Sequence, residues 1–132
     1  MKGFITNLQD ASVANTNFRQ VLYTAKHSQL VLMSLKPREE IGEEVHKLDQ
    51  FIRIEKGQAK AVLDGVEHEM HDDDGVVIPA GTRHNIINTS DDADLKLYTI
   101  YSPPEHRDGT IHVTKEDAEK DEKDEFDGKT SE

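Results

Sequence analysis

Three polar side chains in the segment EEVHKLDQFIRIEKG (43–57) stand at positions that a period-two pattern assigns to a buried face. Alternate residues of a strand share one face, so Glu44, His46 and Gln50 lie on the same side as Ile52. The other face carries charged residues, which makes the isoleucine face the one that packs in the core. A carboxylate, an imidazole and an amide buried without partners would each cost several kilocalories per mole, so these groups need a common partner.

A divalent metal ion is the simplest partner for these three groups, because it accepts nitrogen and oxygen ligands and neutralises a carboxylate. The later segment GVVIPAGTRHNIIN (75–88) supplies a further ligand, His84, at the start of a strand that follows a turn at Pro79 and Gly81. The alternative is that the three polar groups of 43–57 hydrogen-bond one another around a small cavity that holds no metal.

Short strands separated by turn signals must position these residues. Asp64-Gly65, between two strand-like runs, is a strong hairpin signal, and no segment before residue 114 has a helical stripe of more than two turns. Strands at this spacing predict an all-β sandwich or barrel. The predicted strands are 29–36, 49–57, 58–70 (a hairpin), 75–81, 84–88 and 95–102.

The two segments resemble the two sequence motifs of the cupin superfamily, and they occur in the same order. The first motif spans about 38–57, with Arg38 at the opening glycine, Glu44 and His46 at the two histidines, Gln50 at the glutamate and Gly57 at the closing glycine. The second motif spans about 73–88, with Asp73 at the opening glycine and with Pro79, Gly81, His84 and Asn88 matching in register.

The resemblance implies a single-domain jelly-roll β-barrel over residues 1–113, followed by an acidic tail over 114–132. It also implies a divalent metal ion in the barrel mouth, held by two imidazoles, a carboxylate and an amide. That donor set suits manganese, iron, zinc or nickel, among which the sequence does not choose. The implied metal ligands are Glu44, His46, Gln50 and His84.

The chain looks similar to the isomerase part of type II mannose-6-phosphate isomerases. This resemblance implies a metal-dependent isomerase of a sugar or sugar phosphate that acts through an enediolate. Glu44 and Tyr98 are candidate catalytic groups, with Tyr101 as the alternative tyrosine. Two other functions fit the resemblance, an iron-dependent cupin dioxygenase and a non-catalytic cupin that binds a small ligand. A sugar phosphate would need a basic cluster, and strand parity turns Lys47 and Arg53 outward.

The composition narrows the classes of partner to small-molecule substrates or ligands. A formal net charge of −11 disfavours nucleic acid and anionic membrane surfaces. There is no cysteine, no apolar run of membrane-spanning length and no apolar core of a signal peptide, so we expect a cytoplasmic protein. Cupins commonly pair through strands near the N-terminus, and the alternation in FRQVLYTA (18–25) fits such a strand, which implies a homodimer.

The acidic tail, TKEDAEKDEKDEFDGKTSE (114–132), has no aliphatic stripe that could bury apolar surface. Thr114 fits an N-cap with Asp117 three residues later, so we expect a short, frayed helix or disorder, with the last residues disordered. Histidines outside the motifs lack neighbouring ligands, and we expect them to be solvated at the surface. They are His27, His68, His71, His106 and His112.

Overall fold

Two antiparallel sheets form the barrel in a computed structural model that describes residues 2–132 of the protein. The strands are β1 (Arg19–Thr24), β2 (Gln29–Leu35), β3 (Asp49–Lys56), β4 (Gln58–Leu63), β5 (Val66–His71), β6 (Gly75–Ile78), β7 (His84–Asn88), β8 (Leu95–Ser102) and β9 (Ile111–His112). The larger sheet has the order β6-β3-β8-β2-β1-β9, and the smaller one has the order β5-β4-β7. The predicted all-β jelly-roll barrel is therefore confirmed, with 41% strand and 10% helix.

The strands predicted from sequence agree with the observed ones, apart from small differences at their ends. The largest difference is in β6, which ends at Ile78 because Pro79 has no N–H to donate to a ladder. The predicted hairpin is present, since β4 and β5 pair around Asp64 and Gly65. Both turn residues have positive φ, +48° and +83°, as the tight turn that matches strand twist requires.

The core lies between the inner faces of the two sheets, and the register of β3 against β8 shows how it is assembled. Ile52 lies opposite Thr99 and Ile54 opposite Leu97, and the side chains of all four are fully buried. Arg53, on the other face of β3, is partly exposed. The alternation predicted for this strand is therefore confirmed, and it directs Gln50 toward the interior with the isoleucines.

Gly57 ends β3 at a position that no other residue fits well. Its φ is +123°, a conformation that side chains disfavour. A Cβ atom there would also lie 3.2 Å from the carbonyl oxygen of Asp94 and from the side chain of Leu95. The closing glycine of the first motif therefore allows β3 to turn tightly into β4.

Two short helices flank the barrel. The first, α1 (Leu8–Ala14), was not predicted from the sequence; it begins after Asn7, whose side chain accepts from the backbone N–H of Asp10. The second, α2 (Lys115–Lys120), has the predicted start, because Thr114 and Asp117 form a reciprocal capping box. Among residues 2–132 no helix is long and apolar enough to cross a membrane.

The acidic tail packs against the barrel, so the expectation of disorder for its last residues is wrong. The backbone N–H of Phe126 donates to the carbonyl oxygen of Glu105 at 3.0 Å. The backbone N–H of Ser131 donates to the carbonyl oxygen of Thr24 at 2.9 Å. These contacts are polar, which is why a sequence argument based on apolar surface missed them. The outer edge of β1 is thus covered by β9 and by Ser131, and pairing of two copies through this strand stays a prediction.

Two histidines that we expected to be solvated are buried instead. His106 is 5% exposed and His112 is 4% exposed. Each imidazole meets a tail carboxylate, with His106 Nδ1 at 2.7 Å from Asp124 and His112 Nε2 at 2.9 Å from Asp121. The expectation failed because those carboxylates lie far along the chain and come from a segment that composition alone marks as solvated.

Candidate metal centre

Backbone hydrogen bonds join the two sequence motifs at one end of the barrel. The N–H of Glu44 donates to the carbonyl oxygen of His84 at 2.8 Å, and the N–H of His84 donates back to Glu44 at 2.9 Å. The turn before β7 adds a third bond, from the N–H of Gly81 to the carbonyl oxygen of His46 at 2.8 Å. Glu44, His46 and His84 are therefore brought together by main-chain pairing, as the sequence motifs predicted.

The side chains of Glu44 and His46 contact each other directly. Oε2 of Glu44 lies 3.0 Å from Nε2 of His46, and the ring of His84 lies beside the ring of His46 with centroids 5.1 Å apart. The segment before β3 keeps the predicted alternation, since Val45 and Lys47 are exposed while their neighbours point inward. Three of the four predicted ligands thus form one cluster.

His84 is held in an orientation that leaves one ring nitrogen free. Its Nδ1 lies 2.9 Å from the carbonyl oxygen of Thr82, and a carbonyl can only accept, so Nδ1 carries the proton. Nε2 then has its lone pair available. A backbone carbonyl on the opposite nitrogen is the arrangement that fixes metal-binding histidines in proteins.

Gln50 has a buried oxygen without a partner. Its side-chain nitrogen donates to Oγ1 of Thr99 at 3.0 Å, but Oε1 has no hydrogen-bond partner among residues 2–132. The residue is only 4% exposed. A buried unsatisfied oxygen costs about 1–3 kcal/mol, so its retention calls for a partner that the chain itself does not provide.

The pair formed by Glu44 and His46 is electrostatically coupled. Burial acts to raise the pKa of Glu44, but the hydrogen bond and the charge of His46 outweigh it, and the pKa lies below its usual range. Burial acts to lower the pKa of His46, but the hydrogen bond that His46 donates to Glu44 and the charges of Glu44 and Glu105 outweigh it, and the pKa is raised. Metal binding by His46 would therefore release a proton.

Glu105 is a member of the site that the sequence analysis missed. Its Oε2 lies 3.6 Å from Nδ1 of His46, on the opposite side of the ring from Glu44, and its side chain is 33% exposed. It follows Pro103 and Pro104, which indicate only an extended segment. No spacing rule links this glutamate to the motifs, because a loop and not a strand register brings it to His46.

The two tyrosines of β8 lie on opposite faces, which corrects the assignment of Tyr98 as a catalytic group. Tyr98 pairs in register with Arg53 on the outer face, and its ring packs 6.2 Å from that of Phe51. Tyr101 pairs with Gln50 on the inner face, and its ring lies 5.9 Å from that of His46. Parity alone could not decide between them, since residues three apart always face opposite sides.

The donor atoms fit a divalent cation, but they are not arranged as a ready-made ligand set. In the described part of the chain, residues 2–132, no three His, Asp or Glu side chains already stand in a geometry that could hold a metal ion. Oε2 of Glu44 and Nε2 of His46, two atoms that could bind a metal, contact each other instead. The orphaned oxygen of Gln50 and the free Nε2 of His84 fit the ion, provided that this contact opens.

Comparison with known proteins places the chain among related sequences. A family model described as "Cupin domain" matches residues 31–101. The crystal structure of BH2720 from Bacillus halodurans has a TM-score of 0.87 and 42% sequence identity, covering 89% of this chain and 94% of that one. YrkC of Bacillus subtilis (strain 168) is 45% identical over 124 residues, 89% of this chain and 66% of YrkC. L612 of Acanthamoeba polyphaga mimivirus is 47% identical over 114 residues, 83% of this chain and 71% of L612.

Proposed function

Since this chain belongs to the cupin family, we propose that it binds a divalent metal ion at the barrel mouth and isomerises a small carbonyl compound there. The proposed ligands are Glu44, His46, Gln50 and His84. The observation that carries the proposal is the oxygen of Gln50, which is buried without a hydrogen-bond partner on the inner face of β3. A cation is a partner that would satisfy this oxygen and offset the charge of Glu44 at the same time.

The chain offers its own proton-transfer group for such a reaction. A bound divalent cation would act as a Lewis acid that polarises a substrate carbonyl. Glu105 lies outside the ligand set, with Oε2 facing Nδ1 of His46, and we assign proton exchange with substrate to its other carboxyl oxygen. Burial raises the pKa of Glu105 more than the charge of His46 lowers it, which favours proton exchange nearer neutral pH.

Tyr101 is the second group that faces this space. It is 3% exposed, and burial raises the pKa of its phenol, which therefore stays neutral and can donate a hydrogen bond. Its position between His46 and His106, with ring centroids 5.9 Å and 5.1 Å away, fixes the ring. We assign Tyr101 a role in orienting substrate, and it replaces Tyr98 as the candidate tyrosine of the site.

The charges around the motifs favour an uncharged substrate over a phosphate ester. Three arginines that could otherwise bind a phosphate each already face a carboxylate. The pairs are Arg53–Asp73 (3.0 Å), Arg83–Glu43 (2.8 Å) and Arg107–Asp121 (3.5 Å). A phosphate would have to displace these carboxylates, whereas an uncharged sugar needs only hydrogen bonds and the metal.

The test is to load the protein in turn with manganese, iron(II), zinc and nickel and to offer it neutral aldoses and ketoses, their phosphate esters and keto acids in deuterated water. We expect deuterium to enter a carbon-bound position of a neutral sugar equally under air and under nitrogen, since isomerisation needs no oxidant. Glu105→Gln should bind metal but lose the exchange. The exposed, outward-facing Lys47, changed to Ala, is the matched control and should behave as wild type.

Three other outcomes would replace this proposal. The set of two histidines and one carboxylate is also found in iron(II) oxygenases, so oxygen uptake with iron and no anaerobic deuterium incorporation would establish the dioxygenase alternative. A protein that retains metal but reacts under neither gas would be a non-catalytic ligand-binding cupin. Retention of no metal after dialysis would leave a metal-free barrel.

A further inference from the structure

The tail carboxylate Asp124 is buried against the segment that carries Glu105. Its Oδ2 accepts from Nδ1 of His106 at 2.7 Å, and the two side chains are only 8% and 7% exposed. Its Oδ1 accepts from the backbone N–H of Arg107 at 3.4 Å, and Arg19 lies 3.9 Å away. Asp124 therefore holds the two residues that follow Glu105 along the chain.

Both the N–H and the carbonyl oxygen of Glu105 make hydrogen bonds. Its N–H donates to Oε1 of Gln29 at 3.2 Å, and the N–H of His106 donates to the same oxygen at 2.9 Å. Its carbonyl oxygen accepts from the N–H of the tail residue Phe126 at 3.0 Å. Gln29 is 1% exposed and lies opposite Tyr101 in the larger sheet. The segment at Glu105 therefore has two anchors, Gln29 of the barrel and Phe126 of the tail.

We propose that the acidic tail completes the candidate metal centre, with Asp124 as the positioning residue that holds Glu105 opposite Nδ1 of His46. This inference rests on the proposed function for the metal site, and it goes further by assigning a role to residues that lie outside both sequence motifs. The tail therefore positions a residue of the site, in addition to any contribution of its charge to solubility.

The chemistry explains why this position matters. A histidine that binds a metal through Nε2 presents Nδ1–H on the other side of its ring, and a carboxylate there fixes the ring and raises its basicity. His84 has a carbonyl in that role, at Thr82. For His46 the corresponding group is Glu105, and its loop can hold the carboxylate in place only while both anchors are made.

The first test measures manganese or zinc affinity by titration calorimetry on the full chain. Asp124→Ala removes both acceptor oxygens, and we expect affinity to fall about 10-fold, the lower end of what is typical for partners of metal-binding histidines. Asp124→Asn keeps an acceptor and should recover most of the loss. Glu122→Ala removes an exposed carboxylate two residues away and should bind as wild type.

A double-mutant cycle separates positioning from general destabilisation. If Asp124 acts through Glu105, Glu105→Ala should weaken metal binding about 10-fold, and adding Asp124→Ala to it should weaken binding no further. Independent losses that multiply would overturn the proposal. Phe126→Pro removes the N–H that holds the Glu105 carbonyl without changing charge, and it should weaken binding in the same way even if Asp124→Ala folds poorly.

A measurement without metal keeps this inference distinct from the proposed function. Long-range proton–nitrogen correlation spectra report the tautomer and environment of the His46 ring in the metal-free protein. Asp124→Ala should shift the Nδ1 signal of His46, while Glu122→Ala should leave it unchanged. If the wild-type protein binds no metal but Asp124→Ala still shifts the His46 signal, the metal site is refuted and the positioning role is supported. An unchanged His46 signal in Asp124→Ala would refute the positioning role.

Discussion

The backbone N–H of Gly81 donates to the carbonyl oxygen of His46 at 2.8 Å. This bond joins the turn of the second motif to the predicted ligand of the first. Gly81 has a φ of +86°, so the turn passes through a conformation that glycine adopts without cost. The glycine of the second motif therefore contributes to the site by directing its backbone N–H to the carbonyl oxygen of His46.

Replacing Gly81 with alanine should reduce stability and loosen the site. A Cβ atom at Gly81 would meet no atom within 4 Å, so the cost is conformational and not steric, about 1–2 kcal/mol. Asparagine tolerates this region better than other side chains, and Gly81→Asn should cost less. Denaturant unfolding of the three proteins measures the difference. Equal stability of Gly81→Ala and wild type would contradict the role of this turn.

The inner face of β3 could be predicted from sequence because its signal is strictly local. Period two assigns Gln50 and Ile52 to one face without any knowledge of neighbouring strands, and the register with β8 bears this out. The choice between Tyr98 and Tyr101 could not be made in the same way. Both belong to one apolar strand, and only pairing with Gln50 shows which tyrosine faces the interior.

Long-range polar contacts set the limit of the sequence argument. Composition treats Asp124 as a solvated charge, yet its side chain is 8% exposed because His106 and Arg19 lie against it. The same contacts overturn the expectation that His106 is at the surface. A carboxylate and a histidine separated by a loop leave no periodic signal in the sequence. Asp124 also lies among many other acidic residues of the tail, and nothing in the sequence distinguishes it from them.

The two histidine ligands should be indispensable for metal binding. His46→Ala and His84→Ala each remove one of the two nitrogen donors, and we expect each to abolish stoichiometric binding. Gln50→Ala should weaken binding less, since water can replace a neutral oxygen, and Gln50→Glu should tighten it by adding charge. Equilibrium dialysis with elemental analysis measures all four. His68→Ala, which removes an exposed imidazole of β5, is the control and should retain wild-type stoichiometry. Full occupancy in His84→Ala would rule out the assigned ligand set.

Asn88, the last residue of the second motif, should prove structural. Its side-chain nitrogen contacts three backbone carbonyls, those of Leu35, Lys36 and Ala93, at 2.9–3.1 Å, and the residue is fully buried. Asn88→Ala leaves these acceptors short of a donor, and we expect a loss of about 2–4 kcal/mol in the free energy of unfolding. Asn85→Ala, at a half-exposed position three residues earlier in β7, should cost less. Chemical denaturation compares the two, and similar losses would contradict this assignment.

Acidification should weaken the contact between the tail and the barrel through His106. Burial lowers the pKa of His106 below its ordinary value of 6.5, although the hydrogen bond to Asp124 acts in the opposite direction. Protonation would also place an N–H at Nε2, a buried atom that has no partner within residues 2–132. The folded protein therefore takes up this proton at lower pH than the unfolded chain does.

The sign of the effect follows from this difference in proton uptake. Below pH 6.5 the unfolded state binds more protons at His106, so the free energy of unfolding falls as pH falls, by at most about 1.4 kcal/mol per pH unit for one proton. Burial acts to raise the pKa of Asp124, but the hydrogen bond from His106 and the charges of His106, Arg19 and His112 together outweigh burial. The pKa of Asp124 is therefore lowered, which adds a loss in the same direction below pH 3.8. His46 has a raised pKa and opposes the trend.

Comparison with His106→Asn isolates the contribution of His106. Asparagine keeps an N–H donor for Asp124 and does not titrate, while His46 is unchanged in both proteins. We expect wild type to lose more stability than His106→Asn between pH 7 and pH 5, and the two to respond alike above pH 7. Urea unfolding at half-unit pH intervals measures both. Parallel stability curves from pH 7 to pH 5 would show that His106 is not held neutral in the folded protein, and a steeper curve for His106→Asn would reverse the sign of the coupling.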